Sequence, residues 1–135
     1  MFFIRVNLGV LHNQPNLSYS VRTIGDEISK VLEQTIKESK ALDVESLNIK
    51  IGKYCWELVL DLSLIEYDGN ILDAMNYASM ALLLKYEYKK VKVEESKIVV
   101  EDDIKKFSLN HVPLLQTFGI INQNEEDYVI LDPTF

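Results

Sequence analysis

The run from Tyr54 to Ile65 constrains this chain more than any other stretch, because its residues alternate in character from end to end. Tyr54, Trp56, Leu58, Leu60, Leu62 and Leu64 fall on one side, and Cys55, Glu57, Val59, Asp61, Ser63 and Ile65 on the other. Successive side chains of a strand point to opposite faces, so the pattern predicts a long strand with one dry face and one mixed face. Asn48 to Ile51 alternates as well, and Gly52-Lys53 can turn the chain between the two. Asp68-Gly69-Asn70 then closes the long strand with residues that tolerate tight backbone geometry.

A helix is predicted to follow at once. Asn70 suits the N-cap, and Asp73 places a carboxylate in the first turn, where the helix dipole favours it. Ile71, Met75, Ala78, Leu82 and Tyr86 recur at helical spacing, while Ala74, Ala78 and Ala81 keep the helix slim enough to lie close to a sheet. Upstream, Phe2, Ile4, Val6, Leu8 and Val10 alternate as a first, strongly apolar strand. His12 to Thr23 reads as a loop, with Thr23 as cap of a first helix and Asp26 in its first turn. Ile24, Ile28, Val31, Leu32, Thr35 and Ser39 form the expected inner face of that helix. Lys30, Gln34 and Lys37 fall opposite. Downstream, Val91 to Val93 and Lys97 to Glu101 predict a hairpin, and Leu114 to Ile121 with Tyr128 to Leu131 predict two last strands joined by a polar loop from Asn122 to Asp127.

Composition bounds the rest. A chain of 135 residues, 47% hydrophobic, suits one domain that buries roughly two-thirds of its unfolded surface. One cysteine, Cys55, excludes an intrachain disulfide and suits a reducing compartment, where it serves as a small buried or half-buried hydrophobe. No apolar run approaches about 18 residues, so no segment reads as a membrane-spanning helix. The net charge of -7 is the opposite of the balance expected of a stand-alone nucleic-acid binder.

Motifs for chemistry are sparse. His12 and His111 lie far apart with no Cys/His spacing for zinc, and His111 before Pro113 suits packing or hydrogen bonding at a strand start. Asp68 and Asp73 have turn and cap roles and Asp61 lies on the mixed strand face, so no metal is expected. There is no Gly-x-Ser-x-Gly elbow, and the five glycines are too dispersed to cradle a phosphate. No catalytic residue and no cofactor are assigned.

The ordered set of motifs nevertheless resembles one family. Glu38-Ser39-Lys40-Ala41-Leu42-Asp43 at a helix end, Gly52 to Trp56 opening a strand, Asp61-Leu62, and Asp68 to Ala74 follow one another. His111-Val112-Pro113 and Leu131-Asp132-Pro133 complete the order. The set resembles the RNase PH-like subunits of the RNA exosome, over about Phe3 to Phe135. Within them it is most similar to the non-catalytic ring branch that includes the polymyositis/scleroderma autoantigen subunit. The resemblance implies an α+β RNase PH-like fold, here residues 1-135 as a single domain truncated at both ends, with a mixed sheet packed against two main helices. It also implies a structural role in the core ring, supporting 3′-to-5′ RNA processing and degradation, rRNA processing included, in nucleus and cytoplasm. The partners implied are other RNase PH-like subunits, and RNA through the assembled ring.

One departure bears on catalysis. Active relatives carry Gly-Thr-Arg after the aspartate that Asp68 matches, and the arginine helps hold phosphate; here the positions read Asn70, Ile71 and Leu72. Leucine cannot donate the bidentate hydrogen bonds of a guanidinium. The competing reading is an active phosphorolytic exoribonuclease. Related subunits carry basic residues near the end of the first helix, facing the RNA path. That makes Lys30 and Lys37, with Arg22 in the preceding loop, the candidate RNA-binding residues. A solvated helix face is the alternative reading of the same lysines. The missing flanking strands are expected to leave bare sheet edges, through which, or through Phe2, Ile4 and Val6, the chain self-associates.

Overall fold

The computed structural model describes residues 1–9, 18–95, 97–123 and 126–133, with the backbone alone at 18–20 and 22. Its elements run β1 (Phe2–Asn7), α1 (Ser18–Glu38), a short 3-10 turn (Val44–Leu47), β2 (Asn48–Lys50), β3 (Tyr54–Cys55) and β4 (Leu58–Ser63). They continue with α2 (Ile71–Lys85), β5 (Glu87–Glu94), β6 (Lys97–Lys106), β7 (Phe118–Gln123) and β8 (Glu126–Leu131).

The centre is a parallel pair. β1 runs alongside β4 in register from Phe2 opposite Leu58 to Asn7 opposite Ser63. Parallel neighbours need a crossover, and α1 lies in that connection. The other pairings, β2–β3, β5–β6 and β7–β8, are antiparallel. Parallel and antiparallel pairs are both present, as a mixed arrangement requires, but the described strands form four two-stranded ladders and not one continuous sheet.

The alternating run from Tyr54 to Ile65 is therefore not a single strand. It breaks at Trp56-Glu57, where the backbone bonds elsewhere. The Trp56 N–H donates to the Leu47 carbonyl at 2.8 Å, and the Met1 amine donates to the Trp56 carbonyl at 2.6 Å. The alternation itself survives: Leu60 and Leu62 are buried, Leu58 and Leu64 half-buried, Asp61 and Ser63 exposed. Trp56 is half-buried and Cys55 is exposed, so neither is a core residue.

The first helix begins earlier than its sequence signals. α1 already includes Ser18 to Thr23, so Thr23 lies inside the helix and does not cap it. His12, in the part of the expected loop at 10–17, lies outside the described residues. Val21, Gly25, Leu32 and Ile36 are buried, Ile24 and Ile28 half-buried, and Val31 and Ser39 exposed. The buried stripe is thus rotated from the expected one, because Gly25 lets the helix approach β1. A Cβ there would sit 3.2 Å from the Val6 carbonyl oxygen.

Phe2, Ile4 and Leu8, with Val21, Leu32 and Ile36 of α1, Leu60 and Leu62 of β4, and Met75, Met80 and Leu83 of α2, make one contiguous apolar core. Each such side chain contributes roughly 1.5–3 kcal/mol by leaving water. The same packing revises the expected route to self-association. Phe2 and Ile4 are buried in the chain's own core. The Ile4 N–H, which points away from β4, donates to Glu33 Oε1 at 2.8 Å. α1 thereby covers the edge of β1 that would otherwise invite a second chain.

The β5–β6 hairpin is longer than the periodicity predicts, and its register is marked by charge. Lys89–Asp102 at 3.3 Å, Lys90–Asp103 at 3.1 Å, Lys106–Glu87 at 3.0 Å and Lys92–Glu101 pair across the two strands. The Glu101 carboxylate, by its hydrogen bond first and its charge second, holds the Lys92 ammonium above the ordinary lysine value. At the last hairpin, Leu114 to Thr117 is not strand. The N–H of Leu115 is spent on Asn76 Oδ1 at 3.0 Å and that of Thr117 on Asp73 Oδ2 at 2.7 Å, so this segment binds α2 instead of pairing. Asn122, Gln123, Glu126 and Asp127, expected in a loop, extend the ladder. Phe118, Ile120, Tyr128 and Val129 of this hairpin are exposed. His111 is exposed too.

Candidate functional site

Two places carry the residues that the sequence singles out. The first is the outer part of α1. Lys30 and Gln34 are exposed, and among the described residues no ion pair includes Lys30. Lys37 is engaged. Its Nζ lies 3.1 Å from Glu33 Oε2, 5.7 Å from the centre of the Phe2 ring and 5.5 Å from that of Phe3. A lysine held over two aromatic rings and one carboxylate is less free to meet phosphate than Lys30. Arg22 belongs to α1 and not to a preceding loop; its side chain lies outside the described residues. Arg22, Lys30 and Lys37 thus share one helix, and sequence reasoning missed that Glu33 splits its charge between Lys37 and the β1 edge. The i, i+4 spacing of Glu33 and Lys37 was the available signal.

The second place is the turn before α2. Asn70 is the N-cap as expected, in the left-handed region at φ 40°, with Asp73 N–H donating to its Oδ1 at 3.4 Å. Its own Nδ2 donates to Asp73 Oδ2 at 2.9 Å and to Asp132 Oδ1 at 2.6 Å. Asp73 is buried and also accepts from Thr117 Oγ1 at 3.1 Å. The network ties α2 to the segment before β7 and to the end of β8. Gly119 packs under the same corner; a Cβ there would meet Pro133 Cγ at 2.6 Å. Asp132, like Asn70, has a positive φ, 49°. The Leu131-Asp132-Pro133 motif was legible in the sequence, but its partners Thr117 and Asn70 were not, since they lie far away along the chain.

A cleft of about 350 Å³ opens beside this turn. Its lining includes Asp68, Asp73 and Asp132 and no lysine or arginine. Leu72, the second residue of α2, is partly buried and packs against the core. An apolar side chain facing inward thus occupies position 72, beside a cleft with Asp68, Asp73 and Asp132 in its lining. Such a cleft repels a phosphate by charge. Among the described residues no group of three or more His, Cys, Asp or Glu side chains is placed to hold a metal ion.

No family model matches this chain. The exosome complex component Rrp42 of Methanothermobacter thermautotrophicus is 37% identical over 109 residues, 80% of this chain and 39% of that protein. The exosome complex component Rrp42 of Methanopyrus kandleri is 31% identical over 108 residues, 79% of this chain and 39% of that protein. The exosome complex component RRP45 of Bos taurus is 30% identical over 112 residues, 80% of this chain and 25% of that protein. This chain thus spans between a quarter and two-fifths of the length of these relatives. Among solved structures, a chain of an archaeal exosome core superposes with a TM-score of 0.71 at 21% identity, over 99% of this chain and 46% of that one. The two share a fold, and the RNase PH-like architecture expected from the motifs is the one this chain adopts.

Proposed function

From the homology of this chain to exosome complex components, we propose that it is a structural subunit of an exosome-type ring, supporting 3′-to-5′ RNA processing and degradation without catalysing it. The observation that carries the non-catalytic part is the turn at Asp68. Leu72 packs inward where a phosphate-holding guanidinium would be needed, and the neighbouring cleft is lined by Asp68, Asp73 and Asp132. Phosphorolysis brings an anion to the scissile bond, and anions are held by arginine, lysine or backbone N–H groups, not by carboxylates. A phosphate-dependent exoribonuclease is the competing reading, and no residue of this turn favours it.

Other RNase PH-like subunits are the proposed partners, and nucleus and cytoplasm the proposed locations. Lys30, Lys37 and Arg22 are the residues proposed to border the RNA path, with Lys30 the freest. The test is reconstitution. The chain is co-expressed with RNase PH-like exosome subunits, the ring is isolated by size, and RNA is offered with inorganic phosphate. The expected result is a stable ring in which this chain releases no nucleoside diphosphate of its own. Phosphate-dependent release by the purified chain, lost on Asp68→Ala, would overturn the proposal.

A further inference from the structure

A hollow of about 300 Å³ lies where the β5–β6 hairpin meets the 3-10 turn, β2 and Trp56, on a different part of the molecule from Lys30 and from the Asp68 turn. Its floor is aromatic. Trp56 stands at 76° to Tyr88 with ring centres 5.9 Å apart, and Tyr88 stacks on Phe107 at 4.7 Å and 25°. Phe107 and Tyr86, with ring centres 5.7 Å apart, carry the row on beyond the lining of the hollow. The platform is held from behind. The backbone of Trp56 is bonded on both sides, to Leu47 at 2.8 Å and to the Met1 amine at 2.6 Å. Trp56 and Tyr88 are both half-buried, so part of each ring faces the hollow.

The rim is basic. Lys90, Lys92 and Lys105 line it, against a single lining carboxylate, Glu101. Lys92 pairs with Glu101 and Lys90 with Asp103. Lys105, directly across the ladder from Tyr88, has no ion pair among the described residues. The Lys90–Asp103 pair is open to solvent on both sides and so is worth little, whereas Lys92 is held by a half-buried Glu101. Ser46 and Asn48 add short polar side chains at the same wall. In a chain of net charge -7, three lysines gathered around two aromatic rings run against the general balance.

Aromatic faces take the π-face of any base, and lysines beside them take the phosphates that follow. An acidic peptide would use the lysines and leave the rings idle; an apolar peptide would leave the lysines idle. We propose that this hollow is a binding site for single-stranded RNA, seating one base against Trp56 and Tyr88 with adjacent phosphates on Lys105, which has no ion pair among the described residues, and on Lys90, whose pair is exposed. The lining named here lies on this chain and does not include Lys30.

Trp56 is the single tryptophan, so its fluorescence reports on the site directly. The full chain is titrated with a short oligouridylate, with inorganic polyphosphate and with polyglutamate. The expected result is saturable quenching of Trp56 emission by the oligouridylate alone. Lys105→Glu, an exposed change that circular dichroism should show to be folded, is expected to weaken RNA binding about fivefold or more, as removal of one phosphate contact does. It should also flatten the log-log salt dependence by about 0.7. Lys85→Glu, at an exposed lysine outside the lining of the hollow, should leave this binding unchanged, which separates the site from a general effect of charge. Absence of saturable quenching, polyphosphate or polyglutamate binding as tightly as RNA, or unchanged affinity in Lys105→Glu would each overturn the assignment.

Discussion

Replacing Asp73 by alanine should release the last hairpin from the body of the protein. The carboxylate accepts three hydrogen bonds, from Thr117 N at 2.7 Å, Thr117 Oγ1 at 3.1 Å and Asn70 Nδ2 at 2.9 Å. Asp73 itself is buried, so the groups it satisfies do not all regain water when it is removed. An unpaired, partly buried N–H costs about 1–3 kcal/mol, and the loss of the carboxylate from the first helical turn adds about 0.3–1 kcal/mol. The hydroxyl and amide partners lie nearer the surface and recover part of their loss in solvent. The sum is about 2–4 kcal/mol, a large share of the about 5–15 kcal/mol typical of a domain. The measurement is urea unfolding of wild type, Asp73→Ala, Thr117→Val and the double variant, with hydrogen exchange read residue by residue. Thr117 and Asp73 share one network, so their costs should fall short of additivity by about 0.5 kcal/mol or more. Protection should fall first at Gly119, Ile120, Val129 and Ile130, and least in β1 and β4. Additive single costs, or a change in Asp73→Ala below about 0.5 kcal/mol, would refute the claim that this carboxylate latches the hairpin.

Further outcomes follow from single contacts. Gly119→Ala places a methyl 2.6 Å from Pro133 Cγ, and the forced shift should cost about 1–3 kcal/mol of stability, read as a lower midpoint of thermal unfolding. Glu33→Ala uncovers the Ile4 N–H and frees Lys37, and should lower stability by about 1–2 kcal/mol and promote association, read by light scattering against concentration. In a reconstituted ring, Lys30→Glu should weaken RNA retention more than Lys37→Glu, because Lys37 is already held by Glu33 and two phenyl rings; equal effects would count against that ordering.

Periodicity made β1, the two halves of the Tyr54–Ile65 run, both helices and both hairpins legible from residues alone, because burial imposes a period of two or 3.6 on any chain that folds this way. The Asn70 cap and Asp73 position were legible for the same local reason: turn and cap chemistry act over a few residues. The motif order also pointed to exosome subunits, and the relatives this chain is similar to are exosome complex components. What sequence could not decide is which strand pairs with which. The break at Trp56 depends on the Leu47 carbonyl and the Met1 amine, and the non-strand segment before Phe118 depends on Asn76 and Asp73 of α2. The rotation of α1 depends on Gly25 meeting Val6, and the fate of Lys37 depends on Phe2 and Phe3 lying beneath it. The hollow at Trp56 likewise gathers residues from positions 46 to 105 that no spacing rule connects. Local preference is written in neighbours along the chain; pairing, edge covering and the assembly of a binding surface are set by contacts between distant residues, and exist only once the chain has folded.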